Sequence, residues 1–62
     1  MSTFHVGDAV EITNRDHPWY GYTGYIAGPF AFQDLVWTVE LDHGYPGQQA
    51  AVAETDIRRR DL

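Results

Sequence analysis

The first 26 residues contain the pattern that most constrains how this chain can fold. Val6, Val10 and Ile12 fall on one side of an extended backbone, and Ala9, Glu11 and Thr13 point away from it. A glycine-paced apolar segment at residues 21–26 follows after residues 14–20, which are rich in turn-forming and aromatic side chains. Period-two alternation on both sides of such a segment is typical of two half-buried strands. The pattern therefore predicts an antiparallel β-hairpin with an ordered loop at residues 14–20.

The same alternation predicts the next strands. The second strand is expected at residues 24–27, and the Gly-Pro pair at residues 28–29 is expected to end it. Residues 35–41 give the clearest strand, since every second residue is apolar and polar Thr38 and Glu40 stand between. The expected apolar face consists of Leu35, Trp37, Val39 and Leu41. One wholly apolar face is what an antiparallel sheet needs in order to cover a core.

The C-terminal third completes an all-β chain. Residues 42–47 predict a turn, and residues 48–53 predict a weaker fourth strand of small and amide side chains. Residues 54–57 have room for only one helical or 3₁₀ turn, and residues 58–62 would form a short last strand. No segment predicts an amphipathic helix of more than about one turn, which excludes alternating β and α units. The sequence predicts five short strands in a partly open barrel, with one 3₁₀ turn before the last strand.

Size limits how such a barrel can be stabilised. Sixty-two residues make a single domain, 1–62, near the lower limit for independent folding. The chain has no cysteine, which removes disulfides and thiolate metal sites. Aromatic packing or assembly into a homo-oligomer must therefore supply the stability that disulfides or a thiolate metal site would otherwise provide. Nine aromatic residues, 15% of the chain, favour the first route.

Charge narrows the class of partner. The net charge is −5, there is no lysine, and residues 1–57 carry eight acids against one base, Arg15. The other three bases are consecutive, at residues 58–60. An acidic body repels nucleic-acid phosphates, so the charge favours a protein partner. Because no secretory signal or membrane-spanning apolar run is visible, we expect a cytoplasmic location and no membrane partner.

Three short motifs resemble those of SH3-like small barrels with a KOW-type motif. The matching segments are Gly7-Asp8-x-Val10-x-Ile12, Gly21-x-x-Gly24-x-Ile26 and Glu54-Thr55-Asp56-Ile57. The resemblance spans nearly the whole chain and implies a five-stranded SH3-like barrel; a five-stranded OB fold is the nearest competitor but usually needs a longer chain. It also implies either RNA, ribosome or DNA binding or docking on a larger protein assembly. RNA-binding KOW domains are typically basic, and this chain departs from them in its acidic body.

The turn Tyr45-Pro46-Gly47-Gln48 resembles the Pro-Gly turn of type II, plasmid-encoded dihydrofolate reductases. Those enzymes are short SH3-like chains that assemble as tetramers around one pore. The similarity ends at the next segment, because residues 48–52 lack that family's Val-Gln-Ile-Tyr and the ligand-binding lysine has no counterpart. A reductase-like oligomeric enzyme is therefore the last of the alternatives.

The densest chemical feature is aromatic. Six of the nine rings lie within fourteen residues: Trp19, Tyr20, Tyr22, Tyr25, Phe30 and Phe32. Trp and Tyr dominate binding hot spots, and the resemblance implies that the loop between the first two strands frames a recognition groove. The predicted contact surface consists of Trp19, Tyr20, Tyr22, Phe30 and Phe32, with Asp16 and Asp34 as its polar rim. The alternative is that these rings cover the open ends of a tiny barrel.

The sequence offers few side chains suited to metal binding or catalysis. Histidines 5, 17 and 43 match no metal-ligand spacing, so neither a metal nor another cofactor is expected. Without cysteine, lysine or a phosphate-binding loop, no catalytic residue is predicted. The arginines at 58–60 are expected to neutralise the chain's own acids, or otherwise to contact phosphate. The sequence predicts a non-enzymatic docking module, with nucleic-acid binding and mimicry of a polyanion as alternatives.

Overall fold

The computed structural model describes residues 4–31, 34–42 and 47–60. Within these residues the regular structure consists of five strands and one 3₁₀ turn. They are β1 (Ala9–Ile12), β2 (Thr23–Pro29), β3 (Val36–Leu41), β4 (Gln49–Ala53), the 3₁₀ turn (Glu54–Asp56) and β5 (Ile57–Arg59). The described residues contain no α-helix. The predicted all-β class and the 3₁₀ turn before the last strand are confirmed.

The strands form one antiparallel sheet, and a very short connection brings its two edge strands close to each other. The order across the sheet is β4-β3-β2-β1-β5, so β4 and β5 are the edge strands. Only residues 54–56 separate them in sequence. A chain spans at most about 3.6 Å per residue, so the ends of the two edge strands lie within roughly 14 Å of each other. The sheet must therefore curl into a partly open barrel, an arrangement compatible with an SH3-like barrel.

Alternation in the strands builds the core. Each of β1, β3 and β4 contributes two buried apolar side chains in alternate positions, β2 buries Gly24 and Ile26, and β5 contributes one buried residue. The buried apolar side chains are those of Val10, Ile12, Ile26, Val39, Leu41, Ala50, Val52 and Ile57. Four partly buried rings, those of Phe4, Trp19, Tyr22 and Trp37, pack against this cluster. Burial of a Val, Leu or Ile side chain contributes roughly 1.5–3 kcal/mol, so a core this small depends on those rings.

Two residues expected on the apolar faces lie outside them. Val6 is 65% exposed because a turn precedes β1: Gly7 has φ +93° and donates its N–H to the Ile26 carbonyl. Leu35 is 60% exposed and has φ +63°, so it belongs to the turn that precedes β3. In both cases the alternation of apolar residues extends into the turn that precedes the first residue of the strand. The prediction that these two side chains face the core was wrong.

Strand β2 passes through the Gly-Pro pair that was expected to break it. Gly28 pairs with Thr38 and Pro29 with Trp37, after a register shift between Ile26 and Gly28. An irregularity of this kind bends a strand without ending it. Pro29 is the last residue of the strand and directly follows this irregularity, and strand irregularities are among the places where proline is tolerated within a sheet. The predicted end at residue 27 was therefore wrong.

The C-terminal strands begin and end close to their expected positions. Strand β4 starts one residue later than predicted, at Gln49. Strand β5 is Ile57–Arg59, so the expected strand at residues 58–62 is earlier and shorter than predicted. Residues 61–62, and residues 43–46 of the predicted turn, lie outside the described part of the chain.

Candidate protein-docking surface

The loop between β1 and β2 is tied to the 3₁₀ turn by hydrogen bonds to one residue, Asp56. The N–H groups of Thr13 and Asn14 donate to the Asp56 carbonyl at 2.8 and 3.2 Å. The Asn14 side chain donates from Nδ2 to Oδ1 of Asp56 at 2.7 Å, and its own Oδ1 accepts the N–H of Asp16 at 3.0 Å. These bonds hold the start of the loop against the corner between β4 and β5.

The Asp56 carboxylate is ionised, and both of its oxygens accept hydrogen bonds. Its Oδ2 accepts the N–H of Ala53 at 3.0 Å, in addition to the bond from Asn14. Burial raises the pKa of Asp56, but the hydrogen bonds from Asn14 and Ala53, with the charge of His17, more than offset it and hold the pKa below its usual value. The ionised form therefore connects the loop, the end of β4 and the 3₁₀ turn.

His17 attaches the middle of the loop to the free edge of the sheet. Its Nδ1 accepts the N–H of Trp19 at 3.1 Å, and its Nε2 lies 2.9 Å from the carbonyl oxygen of Ala51. In the neutral ring this arrangement assigns the proton to Nε2, which donates to Ala51. Ala51 lies in the edge strand β4, so the loop partly covers an edge that would otherwise expose unpaired backbone groups.

Within this loop the predicted aromatic residues separate into two groups. Trp19 and Tyr22 contact each other edge to face, with ring centroids 5.2 Å apart and an interplanar angle of 88°. Both rings are half-buried and pack against the core. Tyr20, which lies between them, is 48% exposed. Trp19 and Tyr22 therefore cover the core of the barrel, whereas Tyr20 is exposed to solvent.

The tip between β2 and β3 presents a second apolar group. Phe30 is 37% exposed and Leu35 is 60% exposed. Asp34 is exposed beside them, whereas Phe32, also predicted as a contact residue, lies outside the described residues. The N–H of Phe30 donates to the Val36 carbonyl at 2.9 Å, which fixes the base of the tip.

Backbone strain is concentrated in the same tip. Ala31 and Leu35 are the two non-glycine residues with positive φ in the described chain, at 49° and 63°. For an L-residue the left-handed region costs roughly 1–2 kcal/mol. The conformation is held in place because the Leu35 carbonyl accepts the N–H of Glu54 at 2.9 Å. Glu54 also accepts the indole N–H of Trp37 through Oε2 at 2.9 Å.

The loop and the tip are attached to the same short segment of chain. The loop contacts Ala51 and Asp56, and the tip contacts Glu54. Residues 51 and 56 can be at most about 18 Å apart along the chain. We refer to five of the exposed residues carried by these two segments as the loop-tip surface. It consists of Asp16, Tyr20, Phe30, Asp34 and Leu35.

Four of these five residues belong to the contact surface that the sequence predicted, and Leu35 does not. Alternation with Trp37 placed Leu35 on the core side of β3. No sequence signal marked it as a turn residue, since leucine is a poor choice for positive φ.

The electrostatics of the loop-tip surface are one-sided. Residues 16–57 include six acids and neither lysine nor arginine. Arg15 is exposed at the start of the loop, and the other bases belong to the C-terminal strand and the residue that follows it. The surface therefore lies within a part of the chain that carries only negative formal charge.

Each C-terminal arginine contacts a carboxylate, as the sequence predicted. Arg58 pairs with Glu11 at 3.2 Å, Arg59 with Asp8 at 3.0 Å, and Arg60 approaches Asp42 at 3.9 Å. These arginines and Glu11 line an open depression of about 440 Å³.

Arg59 and Asp8 also tie the N-terminal segment to the barrel. The Arg59 guanidinium lies 5.7 Å from the ring centroid of Phe4. The pKa of Asp8 is lowered: the hydrogen bond from the backbone N–H of His5 has the largest effect, burial opposes it, and the hydrogen bond and charge of Arg59 lower the pKa further. This region therefore combines positive and negative charge.

The described residues give no indication of a metal centre or a membrane span. In residues 4–31, 34–42 and 47–60, no three His, Asp or Glu side chains are grouped so that they could hold a metal ion. His43 lies outside these ranges. Of the helical structure that the described chain contains, nothing is long and apolar enough to cross a membrane.

In comparisons with known proteins, the chain matches no protein-family model and no curated protein.

Proposed function

We propose that this chain is a non-enzymatic docking module that binds a protein partner through the loop-tip surface. The observation that carries the proposal is the attachment of two segments, each with an exposed aromatic or aliphatic side chain, to one hydrogen-bonded corner. Tyr20 lies in a loop fixed by Asn14 and His17, and the tip is fixed by the Leu35–Glu54 hydrogen bond. Segments ordered before binding lose little conformational entropy on association, which favours affinity.

Exposure supports the assignment of Tyr20 as a contact residue. Tyr20 is 48% exposed and, unlike Trp19 and Tyr22, is not among the rings that pack against the core. Tyrosine is enriched at binding hot spots because it offers a large rigid surface and a polar end. Asp16 and Asp34 are exposed on the same two segments and would supply the polar rim.

Charge supports a protein rather than a nucleic acid as the partner. Phosphate backbones are bound through several Lys or Arg contacts, and the loop and the tip together carry a single base, Arg15. A partner with basic groups at its rim would be steered toward these acids. Assembly on a larger protein complex is the role that suits such a small acidic module.

Substitution of Tyr20 tests the proposal against a matched control. We expect Tyr20→Ala to reduce capture of the partner from an extract of the source cell by at least tenfold. Tyr25→Ala should leave capture unchanged, because Tyr25 is also 45% exposed but lies in β2, opposite Ala9 and Glu40. Both variants should keep the wild-type circular dichroism spectrum. Equal capture by the wild type and Tyr20→Ala would refute the assignment.

The KOW-type resemblance supports a second candidate, binding of RNA or DNA. Its structural support is the depression beside Arg58, whose side chain is 75% exposed. Against it, each of the three arginines at this depression already contacts a carboxylate. A phosphate would have to compete with those acids, so we rank this candidate second.

A further inference from the structure

We infer that Leu35 and Phe30 form an anchor that inserts into an apolar pocket with a basic rim on the protein partner. This inference rests on the proposed function and deepens it, because it adds a residue and specifies the chemistry of the partner. Two independent properties of Leu35 carry the argument: its backbone conformation and its exposure.

The backbone at residue 35 does not require leucine. With φ +63°, the position favours glycine or asparagine, which adopt this region more readily than other residues. The contact that holds the conformation is made by the Leu35 carbonyl to the N–H of Glu54. Any residue could supply that carbonyl, so the leucine side chain has no part in fixing the turn.

The free protein does not use the Leu35 side chain in its core either. Leu35 is 60% exposed. It belongs neither to the buried cluster nor to the partly buried residues that pack against that cluster. Backbone strain and exposure at the same residue are the two observations from which a contact outside this chain is inferred. Phe30 is also exposed on the tip, so the tip presents two apolar side chains to solvent.

The negative charge beside the anchor favours a partner with basic groups. Asp34 precedes Leu35 and is exposed, and Glu54 lies beside the Leu35 backbone. The negative charges of Asp34 and Glu54 would repel anionic lipid headgroups and nucleic-acid phosphates from the anchor. A protein pocket with Lys or Arg at its rim matches both the apolar side chains and the charge. The inference commits to that occupant.

The first test separates the side chain from the fold. Leu35→Asn suits the positive φ and removes the apolar group, so we expect a melting temperature equal to or above that of the wild type. Capture of the partner should nevertheless fall at least tenfold. Val6→Asn is the matched control, because Val6 is 65% exposed and lies before β1, and it should not change capture. Undiminished capture by Leu35→Asn would overturn the inference.

The second test identifies what the tip contacts. A photoreactive p-benzoylphenylalanine at position 30, in the full chain and irradiated in the source cell, should cross-link to a protein segment with at least two Lys or Arg near the attachment point. The same residue at position 25 should give no such product. Cross-links to an acidic or uncharged segment, to nucleic acid or to lipid, or no cross-link at all, would overturn the inference.

The two proposals fail in distinguishable ways. If Tyr20→Ala abolishes capture and Leu35→Asn does not, the docking function stands and the anchor is wrong. If neither substitution affects capture, the loop-tip surface has no docking role and both proposals are wrong.

Discussion

Replacement of Asp56 by asparagine tests whether one carboxylate holds the corner of the barrel. The substitution changes one oxygen to an NH₂ group, yet both carboxylate oxygens accept hydrogen bonds, from Asn14 Nδ2 at 2.7 Å and from the Ala53 N–H at 3.0 Å. The new amide can accept only one of these bonds and points a donor at the other. The bonds from Thr13 and Asn14 to the Asp56 carbonyl remain available.

The size of the effect follows from the bonds that are lost. A hydrogen bond to a charged group contributes about 1.5–3 kcal/mol. Asp56 is partly exposed, so water replaces part of the lost interaction and we expect a loss of about 1–3 kcal/mol for Asp56→Asn. At about 0.05–0.15 kcal/mol per residue, a chain of this length has a total stability of roughly 3–9 kcal/mol. The substitution should therefore lower the melting temperature by roughly 5–20 °C.

The loss should depend on pH in a defined direction. Since the folded pKa of Asp56 lies below its usual value, the ionised carboxylate stabilises the fold fully above the unfolded pKa of about 4. That contribution disappears as the pH falls through the lower, folded pKa. The difference in unfolding free energy between the wild type and Asp56→Asn should therefore be constant from pH 7 to about pH 5 and shrink below about pH 4.

Urea unfolding followed by the fluorescence of Trp19 and Trp37 measures this difference at each pH. Asp16→Asn is the control, because it removes the same charge from an exposed site in the loop. We expect that control to shift the unfolding free energy by no more than about 0.5 kcal/mol. A similarly small effect of Asp56→Asn at pH 7, or a difference of equal size at pH 7 and pH 3, would refute the reasoning.

Two further predictions concern the sheet and the alternative function. Gly24→Ala should destabilise the fold by more than about 2 kcal/mol in urea unfolding, since its new Cβ would meet the Glu40 carbonyl, whereas Gly28→Ala has open space and should cost about 1 kcal/mol or less. Titration with single-stranded RNA and duplex DNA at 50 and 200 mM salt should show only weak binding with a shallow salt dependence; a steep slope that Arg58→Glu reduces would favour the nucleic-acid candidate instead.

Much of the fold could be predicted because it follows from a local period. Val10 with Ile12, and Val39 with Leu41, are buried at the alternate positions that the sequence indicates. The same rule failed at Leu35, where a turn residue happens to continue the alternation. Periodicity reports which residues could share a face, but only the turn determines where the strand starts.

The candidate site was less predictable because its loop has no period. Trp19, Tyr20 and Tyr22 are equivalent as a sequence pattern, and only packing determines that Tyr20 is exposed while the other two cover the core. The contact between Asn14 and Asp56 joins residues 42 positions apart, and nothing local in the sequence indicates it. The aromatic density could be recognised from the sequence, but the orientation of each ring could not.

Stability and binding are coupled through the corner, and this coupling determines how the variants must be interpreted. Residues 51–56 join the two edge strands and also hold the loop and the tip. Loss of Asp56 would therefore weaken partner capture indirectly, by releasing the loop that carries Tyr20, even if the partner never contacts Asp56. Leu35→Asn acts in the opposite way, since it relieves strain while removing a proposed contact. A variant that is at least as stable as the wild type and yet fails to bind separates direct contact from loss of structure, so Leu35 gives the more decisive evidence on function.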